Sequence, residues 1–484
     1  MSQALNFDKF CGSTVENHPF SELKVGDSAA ITKTVTIDDL RLFAAATGDA
    51  NPSMLDPEFA DNSIYREVVA HGMWSGAMLV NLLGSELPGL GTILVDQNLR
   101  YLRPVTVGDT VNFKITVERK YERTQHVLFD AEVTLANGLR AVTGTLEVLA
   151  PHEKIIRKRL CVPEAMLSNR DERFQRFLAQ ADGLDPVATA VVHPCDEESL
   201  KGALLAAARG LICPILVGPA ARIQQVAHTL GFDISAYRIV DTPYSQESAR
   251  IAVELVRKGE ADALMKGSLH TDELMSAVVD RTTGLRTARR LSHVFRMDVQ
   301  TYAKPLLITD AAINIYPDLM AKADIIQNAI DLAHILGTPE PRVAILSAVE
   351  TVNPKIQSTL DAAALCKMAD RRQIKGGILD GPLAFDNAIS LEAAQTKGIK
   401  SAVAGMADIL VVPDLESGNM VAKQLEYLAS AVPAGIVLGA RVPIILTSRA
   451  DNAETRMASC VLAVLIANAN RLKTSRWRLL PASF

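Results

Sequence analysis

The chain is poor in aromatic residues and has neither an excess of positive charge nor a long apolar segment. Aromatics make up 5% of its 484 residues, and 50 basic side chains stand against 55 acidic ones, for a net charge of −5. The longest apolar stretch, CVLAVLIANA from Cys460, is too short to cross a bilayer. We therefore expect neither a nucleic-acid nor a membrane partner. The 48% hydrophobic content excludes global disorder, because enough apolar residues are present to build cores.

Cysteine and phosphate-loop motifs are also scarce. The six cysteines are widely scattered, without CxxC spacing or a neighbouring histidine pattern, so the sequence predicts no metal site. They are typical of small core residues in a reducing compartment. The opening segment MSQALNFDKF lacks the basic and apolar parts of a secretory signal, and we expect a cytoplasmic protein. No GxxxxGK[ST] loop and no GxGxxG after a strand is present, which argues against nucleotide hydrolysis and hydride transfer.

Hydrophobic periodicity changes within the first 150 residues. TIDDLRLFAAATGD predicts a helix capped by Thr36 and ended by Gly48, and a more apolar helix follows from His71. Across residues 92–149 apolar residues alternate with polar ones, which is typical of antiparallel strands. Residues 1–150 are therefore predicted to form an α+β domain in which a sheet wraps around a buried helix.

The remaining chain has a different pattern. Residues 151–175 are charged and interrupted by proline, as expected of a linker or linker helix. Residues 176–484 contain short apolar runs that alternate with helical spacing: TAVVH, PILVG, YRIVD, DALMKG, PLLITD, RVAILS, GGILDG, DILVVPD and VPIILTS. Such alternation predicts mostly parallel α/β structure. So many strands exceed one comfortable sheet, and we expect two α/β lobes with a cleft between them.

The last of these runs carries the most informative chemistry. VPIILT is followed by Ser448 and Arg449, and a helix is predicted to start near Asp451. A hydroxyl, a guanidinium and a helix N-terminus together suit a phosphate group. Alternatively, Asp451 and Glu454 cap the helix and Arg449 makes a surface ion pair. For Asp451 the capping role is favoured.

The order of motifs in residues 176–484 resembles the phosphate acetyl/butyryltransferase family. The segments that carry the resemblance are MKGSLHTDELM, GLRTARRLSHVF, ITDAAINIYPDL, SAVETVNPKIQSTLDA, ILDGPLAFDNAIS, VPDLESGNMVAKQL and LTSRADNAET. The wording DGPLAFDNA is closer to the butyryl-type branch. The resemblance implies a two-lobed fold with a mostly parallel sheet in each lobe and the reaction acyl-CoA + phosphate ⇌ acyl phosphate + CoA. CoA thioester and phosphate are then substrates, and no bound cofactor is expected.

By this resemblance Ser448 and Arg449 orient the CoA thiol and bind phosphate. Acetyl-type members carry an aspartate base seven residues after that serine, where this chain has Thr455. The departure moves the base to Glu454 or Asp451, or positioning alone supports the reaction. We assign catalytic roles to Ser448, Arg449 and Glu454.

Further residues in these motifs are candidates for substrate binding. They are Arg286, Asp310, Asn353, Asp414 and Asn419. Arg286 could anchor the phosphate or the CoA phosphates, or be a solvated charge on a helix. For Asp310 and Asp414 a structural role is favoured, because carboxylates at strand ends also cap the next helix.

The segment FAAATGDANPSMLDPEFADNSIYREVVAHGMWSGAML, with YLRPVTVGDTV, resembles the MaoC-like (R)-specific enoyl-CoA hydratases of hotdog fold. That resemblance implies Asp49 as a catalytic acid/base and the Gly72 amide as a donor to the thioester oxygen. The partner histidine of the family falls at Met54, which cannot take up a proton. We therefore predict a domain that binds acyl-CoA without efficient hydration.

Three hypotheses follow from these patterns. The first is a phosphate acyltransferase for short acyl groups, acetyl or butyryl, with a degenerate hydratase-like domain. The second is a bifunctional enzyme in which Asp49 still supports hydration, and the third is a non-catalytic CoA-thioester-binding scaffold. Sheet edges and hotdog helices generally need a partner surface, so a homodimer or larger assembly is expected.

Overall fold

The computed structural model of the chain describes residues 12–160, 170–448 and 451–478. The chain divides into two compact units, residues 1–168 and residues 169–484. No helix within the described ranges has both the length and the apolarity needed to cross a membrane.

Residues 12–160, the described part of the N-terminal unit, contain seven strands and four helices. The strands are β1 (Thr14–Glu16), β2 (Ser28–Thr34), β3 (Ile93–Tyr101), β4 (Thr110–Tyr121), β5 (His126–Leu135), β6 (Arg140–Leu149) and β7 (Ile156–Lys158). The helices are α1 (Ile37–Thr47), α2 (Pro52–Leu55), α3 (Pro57–Asp61) and α4 (Gly72–Ser85).

Five antiparallel strands, in the order β2-β4-β5-β6-β3, pack around α4. Alternate residues of β4 are fully buried, and Phe113 meets the edge of Trp74 on α4 with 5.8 Å between ring centroids. Thr36 caps α1 and Gly48 ends it in a left-handed conformation. The predicted sheet around a buried helix, the hotdog architecture, is confirmed.

The segment predicted as a linker, residues 151–175, is divided between the two units. β7 pairs antiparallel with β1 of the N-terminal unit, with Glu16 opposite Ile156. The first helix of the C-terminal unit already begins at Arg170. Backbone pairing therefore orders part of this segment, which charge and proline content did not indicate.

The C-terminal unit has eleven strands and eleven helices within the described residues. The strands are β8 (Val187–Val192), β9 (Ile212–Gly218), β10 (Arg238–Asp241), β11 (Ala263–Lys266), β12 (Ser292–Asp298), β13 (Leu306–Thr309), β14 (Arg342–Leu346), β15 (Ile378–Leu383), β16 (Ile409–Val411), β17 (Val432–Leu438) and β18 (Ile444–Ile445). The helices are α5 (Arg170–Leu178), α6 (Glu197–Ala208), α7 (Ala220–Leu230), α8 (Ser245–Arg257), α9 (Thr271–Val279), α10 (Leu319–Ile335), α11 (Gln357–Asp370), α12 (Phe385–Ile389), α13 (Leu391–Thr396), α14 (Leu415–Leu428) and α15 (Ala453–Arg478).

All eleven strands form one sheet in the order β10-β9-β8-β11-β18-β17-β12-β13-β16-β14-β15. The first five are mutually parallel, and so are the last four. Antiparallel pairings through β17 and β12 join the two parallel parts. The two predicted parallel sheets are present, but hydrogen bonds continue across both, so the expectation that one sheet could not hold so many strands was wrong.

Helices cover both faces of this sheet. Successive residues of β8 alternate between two cores: Val187 and Val191 pack in one, and Ala190 and Val192 pack in the other. α6, α10 and α15 contribute to the first core, whereas α8 and α9 cover the second. A strand that is buried on both faces explains why the apolar runs of this half are continuous rather than alternating.

A buried ion pair between α10 and α11 gives a stability prediction. Lys322 Nζ lies 2.7 Å from Asp361 Oδ2, with the two side chains 7% and 10% exposed. Lys322→Met is expected to lower the free energy of unfolding of the C-terminal unit by about 3–5 kcal/mol, because Asp361 is left buried and uncompensated. Urea titration measures the change. Lys367→Met breaks an exposed pair with Asp370 and serves as control. Equal losses in both variants would contradict the prediction.

Candidate active site

β18 is an inner strand of the sheet, paired with β11 on one side and β17 on the other. Ser448 follows three residues after the carboxyl end of this strand. Leu446 and Thr447 are buried, and Ser448 is the first exposed residue after the strand. Arg449, the predicted phosphate ligand, lies outside the described residues. Ser448 is therefore exposed beyond the carboxyl end of β18, which is the position at the end of a strand that the sequence predicted.

Two hydrogen bonds join Asp451 to Ser448, and this bonded pair is called the Ser448–Asp451 turn below. The backbone N–H of Ser448 donates to Asp451 Oδ2 at 2.7 Å, and the N–H of Asp451 donates to the Ser448 carbonyl at 3.3 Å. Asp451 is 8% exposed. Burial raises the pKa of its carboxyl above the ordinary value, and the Ser448 amide, Lys423 and Arg456 partly oppose this rise, whereas Glu426 adds to it. A buried carboxylate with a raised pKa beside an exposed serine can act as a base.

The helix cap is one residue away from the predicted one. Asn452 Oδ1 accepts the backbone N–H of Thr455 at 3.0 Å, at the start of α15. The side chain of Asp451 instead bonds to the amide of Ser448. The favoured interpretation of Asp451 as the cap was wrong, because Asn452 takes that role and leaves Asp451 beside Ser448.

Glu454, predicted as catalytic, is engaged elsewhere. Its Oε2 lies 3.0 Å from Arg170 Nη2 of α5, and the two side chains are 45% and 42% exposed. Thr455, at the position of the acetyl-type base, is buried with 6% exposure. Of the two carboxylates that the sequence left open as the base, Asp451 is therefore the one hydrogen-bonded to the turn that carries Ser448.

The carboxylate of Asp310 is hydrogen-bonded within its own loop. It accepts the backbone N–H groups of Ala312, Ile313 and Asn314 at 2.9–3.2 Å, and Asn314 Nδ2 at 2.6 Å. Burial raises the pKa of the Asp310 carboxyl. Asp414 likewise caps α14, since its Oδ1 accepts the N–H of Ser417 at 2.9 Å. Asp414 thus caps the next helix as favoured, whereas Asp310 has a structural role in its own loop and caps no helix, because Asp318 caps α10.

α14 connects the Asp310 loop to the Ser448 turn. A Cβ on Gly418 would lie 3.1 Å from the Ala311 backbone, so this glycine allows the close approach of helix and loop. Asn419 follows and is exposed. Lys423, which influences the pKa of Asp451, lies four residues later on the same helix face, about 6 Å from Asn419 by Cβ spacing. Asn419 itself donates from Nδ2 to the Ala311 carbonyl at 3.4 Å, so its observed contact is with the Asp310 loop.

The other two binding candidates lie on separate loops. Arg286 is exposed, its backbone bridges to Ala440, and its guanidinium has no partner among the described residues. Asn353 lies between β14 and α11, where its Oδ1 accepts the N–H of Lys355 at 3.0 Å. Within the described parts of the chain, no cluster of three or more His, Cys, Asp or Glu side chains could hold a metal ion.

In the N-terminal unit, Asp49 lies close to His71, the residue that precedes α4. His71 Nε2 is 3.8 Å from Asp49 Oδ2, and the ring stacks on Phe43 at 5.5 Å. His71 Nδ1 accepts the N–H of Met73 at 3.0 Å and so caps α4. The neutral ring then carries its proton on Nε2, the atom facing Asp49.

Gly72 and Met54 complete the comparison with the predicted hydratase site. Gly72 is the first residue of α4, and a Cβ there would lie 3.0 Å from the ring of Tyr101. Met54 on α2 is buried with 6% exposure. The Met54 thioether is therefore buried in the N-terminal unit. The histidine that approaches Asp49 is His71, which lies at the start of α4 rather than on α2.

Comparison with known proteins identifies both parts of the chain. Residues 244–464 match the family described as "Phosphate acetyl/butaryl transferase", and residues 24–138 match the "MaoC like domain" family. The phosphate acetyltransferase of Rhizobium meliloti is 61% identical over 299 residues, which cover 62% of this chain and 95% of that protein. The chain belongs to the phosphate acetyl/butyryltransferase family. It also carries a MaoC-like domain.

Two further relatives have lower identity to the chain than the Rhizobium meliloti enzyme. The phosphate butyryltransferase of Clostridium acetobutylicum is 44% identical over 294 residues, covering 61% of this chain and 98% of that protein. The crystal structure of a branched-chain phosphotransacylase from Enterococcus faecalis V583 has a TM-score of 0.50 and 29% identity, covering 58% and 99% of the two chains.

Proposed function

We propose that the C-terminal unit transfers a short acyl group between CoA and inorganic phosphate. The observation that carries this proposal is the Ser448–Asp451 turn, in which a buried carboxylate and an exposed serine meet at the carboxyl end of a sheet strand. The 61% identity to a phosphate acetyltransferase supports acetyl as the preferred group. The substrates are an acyl-CoA and phosphate, and no step of the reaction needs a bound cofactor.

In the direction of CoA acylation, Asp451 takes the proton of the CoA thiol, which Ser448 orients by a hydrogen bond. The thiolate attacks the carbonyl carbon of the acyl phosphate, and the tetrahedral intermediate expels phosphate, which leaves with the proton. An ordinary thiol has a pKa of about 8.5, so a base of moderate strength is sufficient. By the family resemblance Arg449 binds the phosphoryl oxygens, where charge accumulates as phosphate leaves.

We assign the base to Asp451 rather than to Glu454. Glu454 is half exposed, and its Oε2 is engaged by Arg170 of α5 rather than by the residues around Ser448. Burial raises the pKa of Asp451, which makes it a stronger base. Asp310 and Asp414 hold the loop and helix that position Asn419, whereas Arg286 is available for a phosphate group of CoA.

Thiol consumption tests this proposal. Full-length protein is mixed with CoA and either acetyl phosphate or butyryl phosphate, and the loss of free thiol is followed over time. We expect consumption with at least one acyl phosphate, and a much lower rate for Ser448→Ala. If neither acyl phosphate consumes thiol while CoA thioesters still bind, the scaffold hypothesis replaces this one.

For the N-terminal unit we propose binding of a CoA thioester without efficient hydration, since Met54 cannot replace a histidine. The 3.8 Å approach of His71 to Asp49 favours a second candidate, slow hydration of an enoyl-CoA. In that reaction Asp49 would take a proton from the water as its oxygen adds to Cβ of the enoyl thioester, and would return that proton to Cα. His71 Nε2–H would hold the water by a hydrogen bond. Because Nδ1 is occupied by the helix amide, His71 donates a hydrogen bond rather than accepting the proton.

We also propose that the protein is a homodimer or larger. β3 is an edge strand of the N-terminal sheet and exposes apolar side chains, including Ile93 at 59% and Val95 at 51%. An exposed apolar edge is a template for pairing with another strand. We place the chain in the cytoplasm, because the four cysteines within the described residues are free thiols.

Val95→Lys is expected to lower the mass of the assembly, because a charge on β3 opposes strand pairing between copies. Light scattering coupled to size-exclusion chromatography measures that mass. Val25→Lys adds the same charge at another exposed position, 67% accessible, and should leave the mass unchanged. An unaltered mass for Val95→Lys would show that β3 is not a subunit interface.

A further inference from the structure

Arg456 on α15 is a charged side chain without a carboxylate partner. It is 2% exposed, and it forms no ion pair with any carboxylate in the part of the chain that the structure describes. Its guanidinium donates to Thr447 Oγ1 at 2.8 Å, to the Ser448 carbonyl at 3.0 Å and to the Asp451 carbonyl at 3.2 Å. All three acceptors are neutral oxygens of one short segment.

Such a contact pattern is costly for stability. A buried guanidinium loses its hydration, and neutral acceptors return less than a carboxylate would. An apolar residue at this position would fill the same space without that loss. The guanidinium contributes positional restraint instead, because its planar group of donors bonds to the carbonyls of both Ser448 and Asp451.

A glycine far away in the sequence makes room for this side chain. Gly202 lies in α6, where a Cβ would come within 2.5 Å of Arg456 Cδ and 3.2 Å of its Cβ. Glycine is unfavourable in the interior of a helix, and its presence here is explained by the arginine stem packed against it. Arg456 and Gly202 therefore form one unit behind the turn.

We propose that Arg456, seated against Gly202, is a positioning residue for acyl transfer that holds the Ser448–Asp451 turn in its reactive geometry. The proposal rests on the acyltransferase function proposed above. Arg456 touches no substrate and acts through the backbone on either side of Arg449. Its positive charge also lies near Asp451, beside Lys423 and Glu426 of α14, so it affects proton transfer as well as position.

The first test compares Arg456→Met and Arg456→Lys in the full-length protein. We expect kcat to fall about 10- to 100-fold in both, the usual cost of losing a residue that orients a catalytic group, with KM for CoA little changed. Arg471 lies on the same helix as Arg456 and makes an exposed ion pair with Asp262, so Arg471→Met is the control and should keep the wild-type kcat. An unchanged kcat in Arg456→Met would overturn the proposal.

A pH profile separates positioning from general stability. Loss of the positive charge in Arg456→Met lets the pKa of Asp451 rise further, so the acid limb of kcat should move to higher pH. Arg456→Lys keeps the charge, and its acid limb should stay in place while kcat is low. If both variants only unfold more easily and retain the wild-type kcat and acid limb, Arg456 is merely structural.

A double-mutant cycle tests the role of Gly202. Gly202→Ala should lower kcat in the wild-type chain but have a much smaller effect in an Arg456→Ala background, because the clashing stem is then absent. Gly84→Ala in α4, where a Cβ meets nothing within 4 Å, is the matched helix control. Additive effects would contradict the coupling. A wild-type chain without any transferase activity would instead contradict the proposed function itself.

Discussion

Asp451→Asn is expected to lower kcat for acyl transfer by about 10²- to 10⁴-fold, the contribution typical of a general base. Asparagine keeps an oxygen that can accept the Ser448 amide proton, so the turn should be retained while the base is lost. The rate of CoA acylation from acetyl phosphate, measured at saturating substrates, gives the change. The KM values should move little, since Asp451 is not assigned to substrate binding.

Glu454→Gln is the matched control for this prediction. It removes the other carboxylate that the sequence offered as the base, together with its ion pair to Arg170, and should leave kcat close to the wild-type value. A large loss in Glu454→Gln with normal activity in Asp451→Asn would reverse the assignment.

The wild-type pH profile provides a further check on Asp451. A base must be deprotonated to act, so activity should fall as the pH drops through the pKa of Asp451. Burial raises that pKa, so the fall should begin at a higher pH than an ordinary aspartate would give. In Asp451→Asn this acid limb should disappear.

Met54→His is expected to raise hydration of crotonyl-CoA by about 10²- to 10⁴-fold, because it restores an acid/base group to the position where the MaoC-like family has its histidine. Loss of the enoyl thioester absorbance measures the rate. Met54→Leu keeps an apolar side chain at this buried position and should change nothing.

The activity of a His71→Asn variant is needed to interpret the Met54→His experiment. If wild-type protein already hydrates crotonyl-CoA and His71→Asn abolishes the activity, the Asp49–His71 pair is the working site. If Met54→His fails to add activity while the protein still folds, the missing histidine is not the reason for weak hydration.

Local patterns predicted most of the fold. Each of the nine apolar runs in the C-terminal half is a strand, and Thr36 and Gly48 bound their helix as expected. The two strands that were missed, β12 and β17, are the ones that join the parallel parts into one sheet. β12 contains His293 and Arg296, which interrupt its apolar run, and β17 contains proline and glycine, which usually mark turns.

Packing between distant residues explains the irregular composition of these strands. A Cβ on Gly435 of β17 would lie 2.8 Å from His293 Nε2 of β12, so the glycine provides space for the buried imidazole ring. The pairing of His293 with Val437 and of Arg296 with Ala434 sets this register. Neither strand could be recognised from its own sequence, because the glycine of β17 is explained only by the bulky histidine of β12 that packs against it.

The sequence predicted which strand end carries Ser448, but it did not predict which side chains contact that residue. Ser448 at a strand end followed from hydrophobic periodicity and turn position. The shift of the cap from Asp451 to Asn452 could not, since both residue types cap helices equally well. Lys423 and Arg456 approach the turn from two separate helices, and only the tertiary structure brings them together.

The most direct test of the account is acyl phosphate formation from acetyl-CoA and inorganic phosphate, trapped with hydroxylamine, for wild type, Ser448→Ala and Glu454→Gln side by side. We predict phosphate-dependent product, with one free CoA released for each acyl group trapped, in wild type and Glu454→Gln, and a strong loss in Ser448→Ala. Equal product from wild type and Ser448→Ala, or no product from a wild-type chain that still binds acetyl-CoA, would contradict a transferase site at the end of β18.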